Sequence, residues 1–359
     1  MSEMKRKYWI LPGIIFLVIY MFVAARPIRE ETVLFPRWIS SLESGLYIDF
    51  GGFDYETDVE IPFRLGSRFG FFDDSGQYLL NRVRNMNLSL SNGMWSEYEA
   101  QPAGVEIFNP QSELLMTIDN PIGYPFFMDN RAFLLGNEQN SISALDNLGN
   151  IIWTYDFSSP LTCIDAASGF IVAGTLDGVI ELLDSTGRLV FSFEPGGSRL
   201  AVILGVAIST DGARLAVISG IDNQRFLMLE QSGDIFRVVY HKFLSTGFRR
   251  AVHINFINND ARVAFEQQGG LGLYDIAMRS SLFLPLEGEM AGMDTGDGNY
   301  LFVISSQGED RKRIFGIRMP GEIMMNAPFR SRSVFLDRRD SKLYIGGDYS
   351  LASFELNKK

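Results

Sequence analysis

Three stretches of the chain repeat one pattern. They are Leu145-Asp146-Asn147-Leu148-Gly149-Asn150-Ile151-Ile152-Trp153, Leu183-Asp184-Ser185-Thr186-Gly187-Arg188-Leu189-Val190-Phe191 and Leu229-Glu230-Gln231-Ser232-Gly233-Asp234-Ile235-Phe236-Arg237. Each joins an apolar residue, an acid, two intervening residues, a glycine, a polar residue and a hydrophobic run. Asp bonds its own backbone and Gly accepts a positive φ, so an acid three residues before a glycine favours a tight turn. The flanking runs read as strands. A strand–turn–strand unit recurring about every forty residues is what a propeller blade requires. The acids recur at turn positions, so they read as turn formers rather than ligands.

The same logic runs outward along the chain. Polar turns at Asp73-Asp74-Ser75-Gly76, Asp129-Asn130, Ala167-Ser168-Gly169, Asp211-Gly212, Asn259-Asp260, Gly296-Asp297-Gly298-Asn299 and Asp340-Ser341 each precede a short apolar run. Runs such as Phe170-Ile171-Val172-Ala173 suit strands buried on both faces. Taken as first-to-second turns, they predict an all-β propeller of about seven blades over residues 46–359. The seventh blade has only three strands. Residues 46–50, which alternate in the strand period, are expected to supply its fourth and close the ring, removing free sheet edges.

Residues 85–104 interrupt the period. They stand between Arg84 and Val105 in the expected first blade and carry Met86, Leu88, Met94, Trp95 and Tyr98. As an ordinary long connection the segment extends strands. As a functional loop it presents Met94, Trp95 and Tyr98 as candidate partner-binding anchors, since such side chains dominate interface energetics. Asn87-Leu88-Ser89 is also a glycosylation sequon.

At the start, Lys5-Arg6-Lys7 precedes an uncharged run from Tyr8 to Ala25. That run just reaches the length a bilayer-spanning helix needs, about 17–25 residues. The basic triplet predicts a cytoplasmic N-terminus. The expected organisation is a basic tail over residues 1–7, a single transmembrane signal anchor over 8–25, a linker over 26–45 and the propeller beyond. Val23-Ala24-Ala25 offers a rival reading as a cleaved signal peptide. Either way the propeller is exported, to the periplasmic or extracytoplasmic side of the inner membrane.

Composition narrows the chemistry. A net charge of −11 argues against nucleic acid, whose phosphates need a basic surface. One cysteine, Cys163, precludes an internal disulfide and sits in an apolar strand pattern, as a small buried hydrophobe. The two histidines, His241 and His253, show no metal-ligand spacing. Asp294-Thr295-Gly296-Asp297-Gly298-Asn299 resembles a calcium loop but lacks the downstream Glu, and reads as a turn. Gly269-Gly270-Leu271-Gly272 opens no helix and reads as close strand packing rather than a dinucleotide loop. No residue is assigned to catalysis, to a metal or to a cofactor.

The unit acid–x–x–Gly–x–apolar–apolar–aromatic, at Asp146 to Trp153 and Asp184 to Phe191, resembles the repeats of the quinoprotein-like (PQQ-repeat) β-propellers and the related WD40-like bacterial propellers. The resemblance is clearest over residues 130–240, and it implies fold rather than activity. Quinone dehydrogenases of that superfamily carry a vicinal disulfide, calcium ligands and an Asp base in eight Trp-rich blades. One Cys and four Trp depart from that pattern, and so does the absence of the WD40 Trp-Asp dipeptide. A nearer analogy is the exported propeller subunit of the outer-membrane β-barrel assembly machine, a scaffold. The expectation is a non-enzymatic, membrane-anchored scaffold that binds a protein or peptide on one ring face. The alternative is a hydrolase, lyase or small-molecule sensor at the central channel mouth.

Overall fold

The computed structural model describes residues 32–358 except 57, 234, 246 and 297. The chain divides into two units. One holds residues 1–35 and 356–359, of which the description covers only the start of one strand and the end of another. The other is Pro36–Glu355. The expected membrane segment, 8–25, lies outside the described residues. Among those described, no helix is long and apolar enough to cross a membrane, and every element is a β-strand.

Among the described residues the strands form eight antiparallel sheets, not the expected seven. Blade 1 has three strands, Ile61–Leu65, Arg68–Phe72 and Tyr78–Val83. Blades 2 to 7 have four each and span residues 87–119, 123–156, 161–193, 203–243, 254–285 and 289–330. Blade 8 combines Val334–Arg339, Lys342–Gly347 and Ser350–Lys358 with two strands from the other end of the sequence, Thr32–Ser41 and Tyr47–Asp49. Second strands such as Phe170–Thr175 and Arg214–Ser219 are nearly all buried, whereas the outer strand Ile151–Asp156 alternates between exposed and half-buried. The core therefore lies between the faces of successive blades.

Two sequence expectations change here. Residues 85–104 are not a loop inserted into a blade. Asn87–Leu90 and Trp95–Tyr98 are strands, and with Gly104–Phe108 and Leu114–Asp119 they make blade 2. Nor do residues 46–50 supply the fourth strand of the last blade. Thr32–Ser41, from the expected linker, pairs directly with Ser350–Lys358, and Tyr47–Asp49 adds a fifth strand outside it.

The error in counting has a physical origin in one turn. Asp146 Oδ1 accepts the amides of Leu148 and Asn150 at 2.8 Å each, and Asp184 Oδ1 those of Thr186 and Arg188 at 2.9 and 3.1 Å. Both turns join the third strand of a blade to the fourth. Asp73 Oδ1 accepts Ser75 and Gln77 in the same way, at 2.9 and 3.0 Å. The turn at Asp73 is thus another third-to-fourth turn, not a first-to-second one. Glu230 departs from the set. Its hairpin continues in register to Ser232 opposite Ile235, and Glu230 instead lies 3.7 Å from Arg214 and 3.5 Å from Arg279.

Each of two such turns receives a tryptophan from the preceding blade. Trp153 donates its indole N–H to the Ser185 carbonyl at 3.0 Å and lies over Gly187, where a Cβ would fall 2.4 Å from the ring. Trp38, on the strand that completes blade 8, donates to the Asp74 carbonyl at 2.8 Å and lies over Gly76. This match makes Arg68–Phe72 and Tyr78–Val83 the third and fourth strands of blade 1, with Ile61–Leu65 the second. Among the described residues no strand takes the innermost position of blade 1. Pro62, which has no N–H, blunts the edge left free there.

Candidate functional site

The three residues expected to form a partner-binding loop lie in blade 2. Trp95 is 1% exposed. It stacks on Phe108 at 4.8 Å, meets Phe69 of blade 1 at 5.5 Å and donates its N–H to the Asn109 carbonyl at 2.9 Å. Its burial corrects the expectation of an exposed anchor. Alternating strand geometry put an aromatic on the inter-blade face. Met94 and Tyr98 are half-buried and pack against the cluster built on Val105 and Ile107. The Tyr98 ring also approaches Tyr124 at 5.9 Å.

Chemistry-bearing side chains gather instead where the ring closes. Asp74, fully buried, accepts hydrogen bonds from Arg37 Nη2 at 2.9 Å, Lys342 Nζ at 2.9 Å, the Tyr344 hydroxyl at 2.6 Å and the Glu56 amide at 3.1 Å. Burial alone would raise the Asp74 carboxyl, but the bonds from Arg37, Tyr344 and Lys342 outweigh it and hold the group well below the usual carboxylate range. Burial and the bond to Asp74 push the Tyr344 phenol up. The cluster ties the strand Thr32–Ser41 to blades 1 and 8. Its carboxylate is surrounded by protein donors, so it is a lock rather than a reactive group.

A second lock spans blades 7 and 8 at the calcium-like segment. Asp294 is buried and accepts the Gly296 amide at 2.9 Å, Arg338 Nε at 3.0 Å and the Phe302 amide. Those bonds use the oxygens a cation would need. Burial pushes the Cys163 thiol up to about 12, consistent with packing rather than nucleophilic use. At Gly270 and Gly272 a Cβ would fall 2.0 Å from the Leu284 carbonyl oxygen and 2.2 Å from the Phe265 ring, so those glycines serve close packing.

Two surface features near this closure have other uses. The strand Tyr47–Asp49 is exposed throughout, and Ile48 stands opposite Ile39 in register. Leu46 is 57% and Phe50 51% exposed, with Tyr47 and Ile48 also open to solvent. An apolar outermost strand of this kind leaves an exposed edge. The other feature is a cleft of about 440 Å³ lined by Arg64, Arg84, Asn85, Met86, Asn87, Leu88 and Tyr98, where blade 1 passes into blade 2. Beside it, a cleft of about 410 Å³ holds Arg82, Trp95, Glu97 and Glu106. Sequence reasoning drew attention to this region through Trp95 and Tyr98, but not to Arg64 or Arg84. Neither arginine belongs to a motif, and it is the strand pairing of blade 1 that carries Arg64 and Arg84 to the same end of its sheet.

Eight antiparallel sheets, aspartate-capped outer turns and tryptophans docked from blade to blade define a β-propeller. The chain matches a family described as beta-propeller protein over residues 1–359, and it belongs to that family. An uncharacterized protein of Treponema pallidum (strain Nichols) is 27% identical over 98% of this chain and 94% of its own length. Among solved structures, BamB from Moraxella catarrhalis aligns over 84% of this chain and 100% of its own, at a TM-score of 0.56 and 12% identity. The computationally designed Ika8 protein aligns over 84% of this chain and 98% of its own, at 0.60 and 14%. These two likenesses are of fold alone.

Proposed function

We propose that this protein is an exported, membrane-anchored β-propeller that acts as a protein-interaction scaffold of the cell envelope. The observation that carries the reading is the apolar fifth strand of blade 8, with Leu46, Tyr47, Ile48 and Phe50 facing solvent beyond a blade that is already complete. Ring closure does not need this strand, since Thr32–Ser41 fills the fourth position. A free edge with an apolar face suits a partner that adds a strand or packs side chains against it. The anchor reading rests on the basic triplet and the uncharged run from Tyr8 to Ala25, which would hold the ring at the outer face of the inner membrane.

A photo-crosslinker at Ile48 is the direct test. In intact cells it is expected to trap one protein partner, and Phe50→Asp is expected to abolish the adduct without moving the melting temperature. Crosslinking that persists in Phe50→Asp, or no adduct at all, sinks the rim-docking reading. Phe50 is exposed, so its substitution should change stability by no more than about 0.5 kcal/mol.

A further inference from the structure

The geometry points to the larger cleft between blades 1 and 2 as a binding site for a small divalent oxyanion, a dicarboxylate or a phosphate ester. Its lining contains two arginines and no acid, in a chain that carries 43 acids against 32 bases. Two other arginines of the same blade are balanced by acids. Arg68 lies 3.9 Å from Glu43, and Arg82 lies 3.6 Å from Glu97. Among the described residues, neither Arg64 nor Arg84 has an ion pair or a side-chain hydrogen bond. The adjoining cleft, by contrast, sets Glu97 and Glu106 against the one arginine, Arg82.

The two guanidinium groups stand on firm backbone. Arg64 lies between the buried Phe63 and Leu65 in the strand Ile61–Leu65. The Arg84 amide donates to the Ser67 carbonyl at 2.7 Å, fixing the start of the connection to blade 2. Each planar fork can meet two oxygens of an anion at once, which ammonium groups cannot do. Asn85, Asn87 and Tyr98 also line the cleft, and Met86 and Leu88 give a short apolar wall. The volume, about 440 Å³, is that of a small-molecule site. Among the described residues Ile61–Leu65, the strand that carries Arg64, is the edge of its sheet.

This inference stands apart from the scaffold reading, which rests on the rim of blade 8. The test is isothermal titration of the full-length chain, in a nonionic detergent, with succinate and with glycerol phosphate at matched chloride. Saturable binding of at least one is expected. Tighter succinate assigns a dicarboxylate, and tighter glycerol phosphate a phosphate ester. Arg64→Gln and Arg84→Gln should each weaken binding about tenfold or more. Arg64→Lys, which keeps the charge and loses the fork, should retain part of the affinity. Arg199→Gln, at a side chain 94% exposed on blade 5's approach, should leave binding unchanged. Circular dichroism confirms that each variant is folded. No saturable heat with either anion overturns the proposal, as does an equal loss in Arg199→Gln. Phe50→Asp leaves anion binding intact, so failure here and failure of the rim reading are separate results.

Discussion

Gly187 holds φ at +77°, and a methyl group there would fall 2.4 Å from the Trp153 ring. Gly187→Ala therefore meets both a backbone penalty and a clash, and is expected to destabilise by about 1–3 kcal/mol in chemical denaturation. Asp74 makes stability depend on acid pH. Its folded pKa lies below the ordinary value of 3.8. The stability it contributes is thus complete above that value and is lost as the pH falls towards the folded one. Wild type should lose stability on acidification through this window, and Asp74→Asn should flatten that slope. At neutral pH the same substitution leaves Arg37 buried against a neutral amide, at a loss of about 3–5 kcal/mol. Asp146 and Asp184 could be read as turn formers from sequence because an Asp carboxylate reaches its own backbone. Glu230 misled, since its extra methylene carries the carboxylate past those amides to Arg214 and Arg279.

Among elements, the outer strands set how blades meet. Trp38 is fully buried against Phe72 at 5.7 Å and Tyr344 at 6.3 Å, and its N–H closes on blade 1. Trp38→Ala should cost about 3–5 kcal/mol. Hydrogen exchange should show amide protection falling first in residues 36–41 and 78–83, while blade 4 stays protected. The strand–turn–strand unit of blades 3 and 4 was legible because both its turn chemistry and its hydrophobic period are local. Blade 1 was not. Its Asp73 turn looks in sequence like any polar turn, and only the tryptophan arriving from Thr32–Ser41 marks it as third-to-fourth. Blade 2 hid for a related reason: Trp95 and Tyr98 suit an interface and a strand equally well, and burial decides between them. The two arginines of the cleft carry no local signal at all, being twenty positions apart in the sequence.

For Pro36–Glu355 as a whole, the ring is fastened by sequence extremes. A variant beginning at residue 45 would lack Arg37, Trp38 and the fourth strand of blade 8. It is expected to lose a single cooperative melting transition and to associate through the bared edge of Ser350–Lys358, measured by calorimetry and size-exclusion chromatography. Closure also has a timetable. Arg37 and its hydrogen-bonded partner Ser353 are 316 residues apart. At ~5–20 residues per second, synthesis separates them by tens of seconds. Throughout that interval the apolar strand around Trp38 waits without the sheet it will join. A truncated chain can never bury it, so the exposure of the strand Thr32–Ser41 reports whether Ser350–Lys358 has been made.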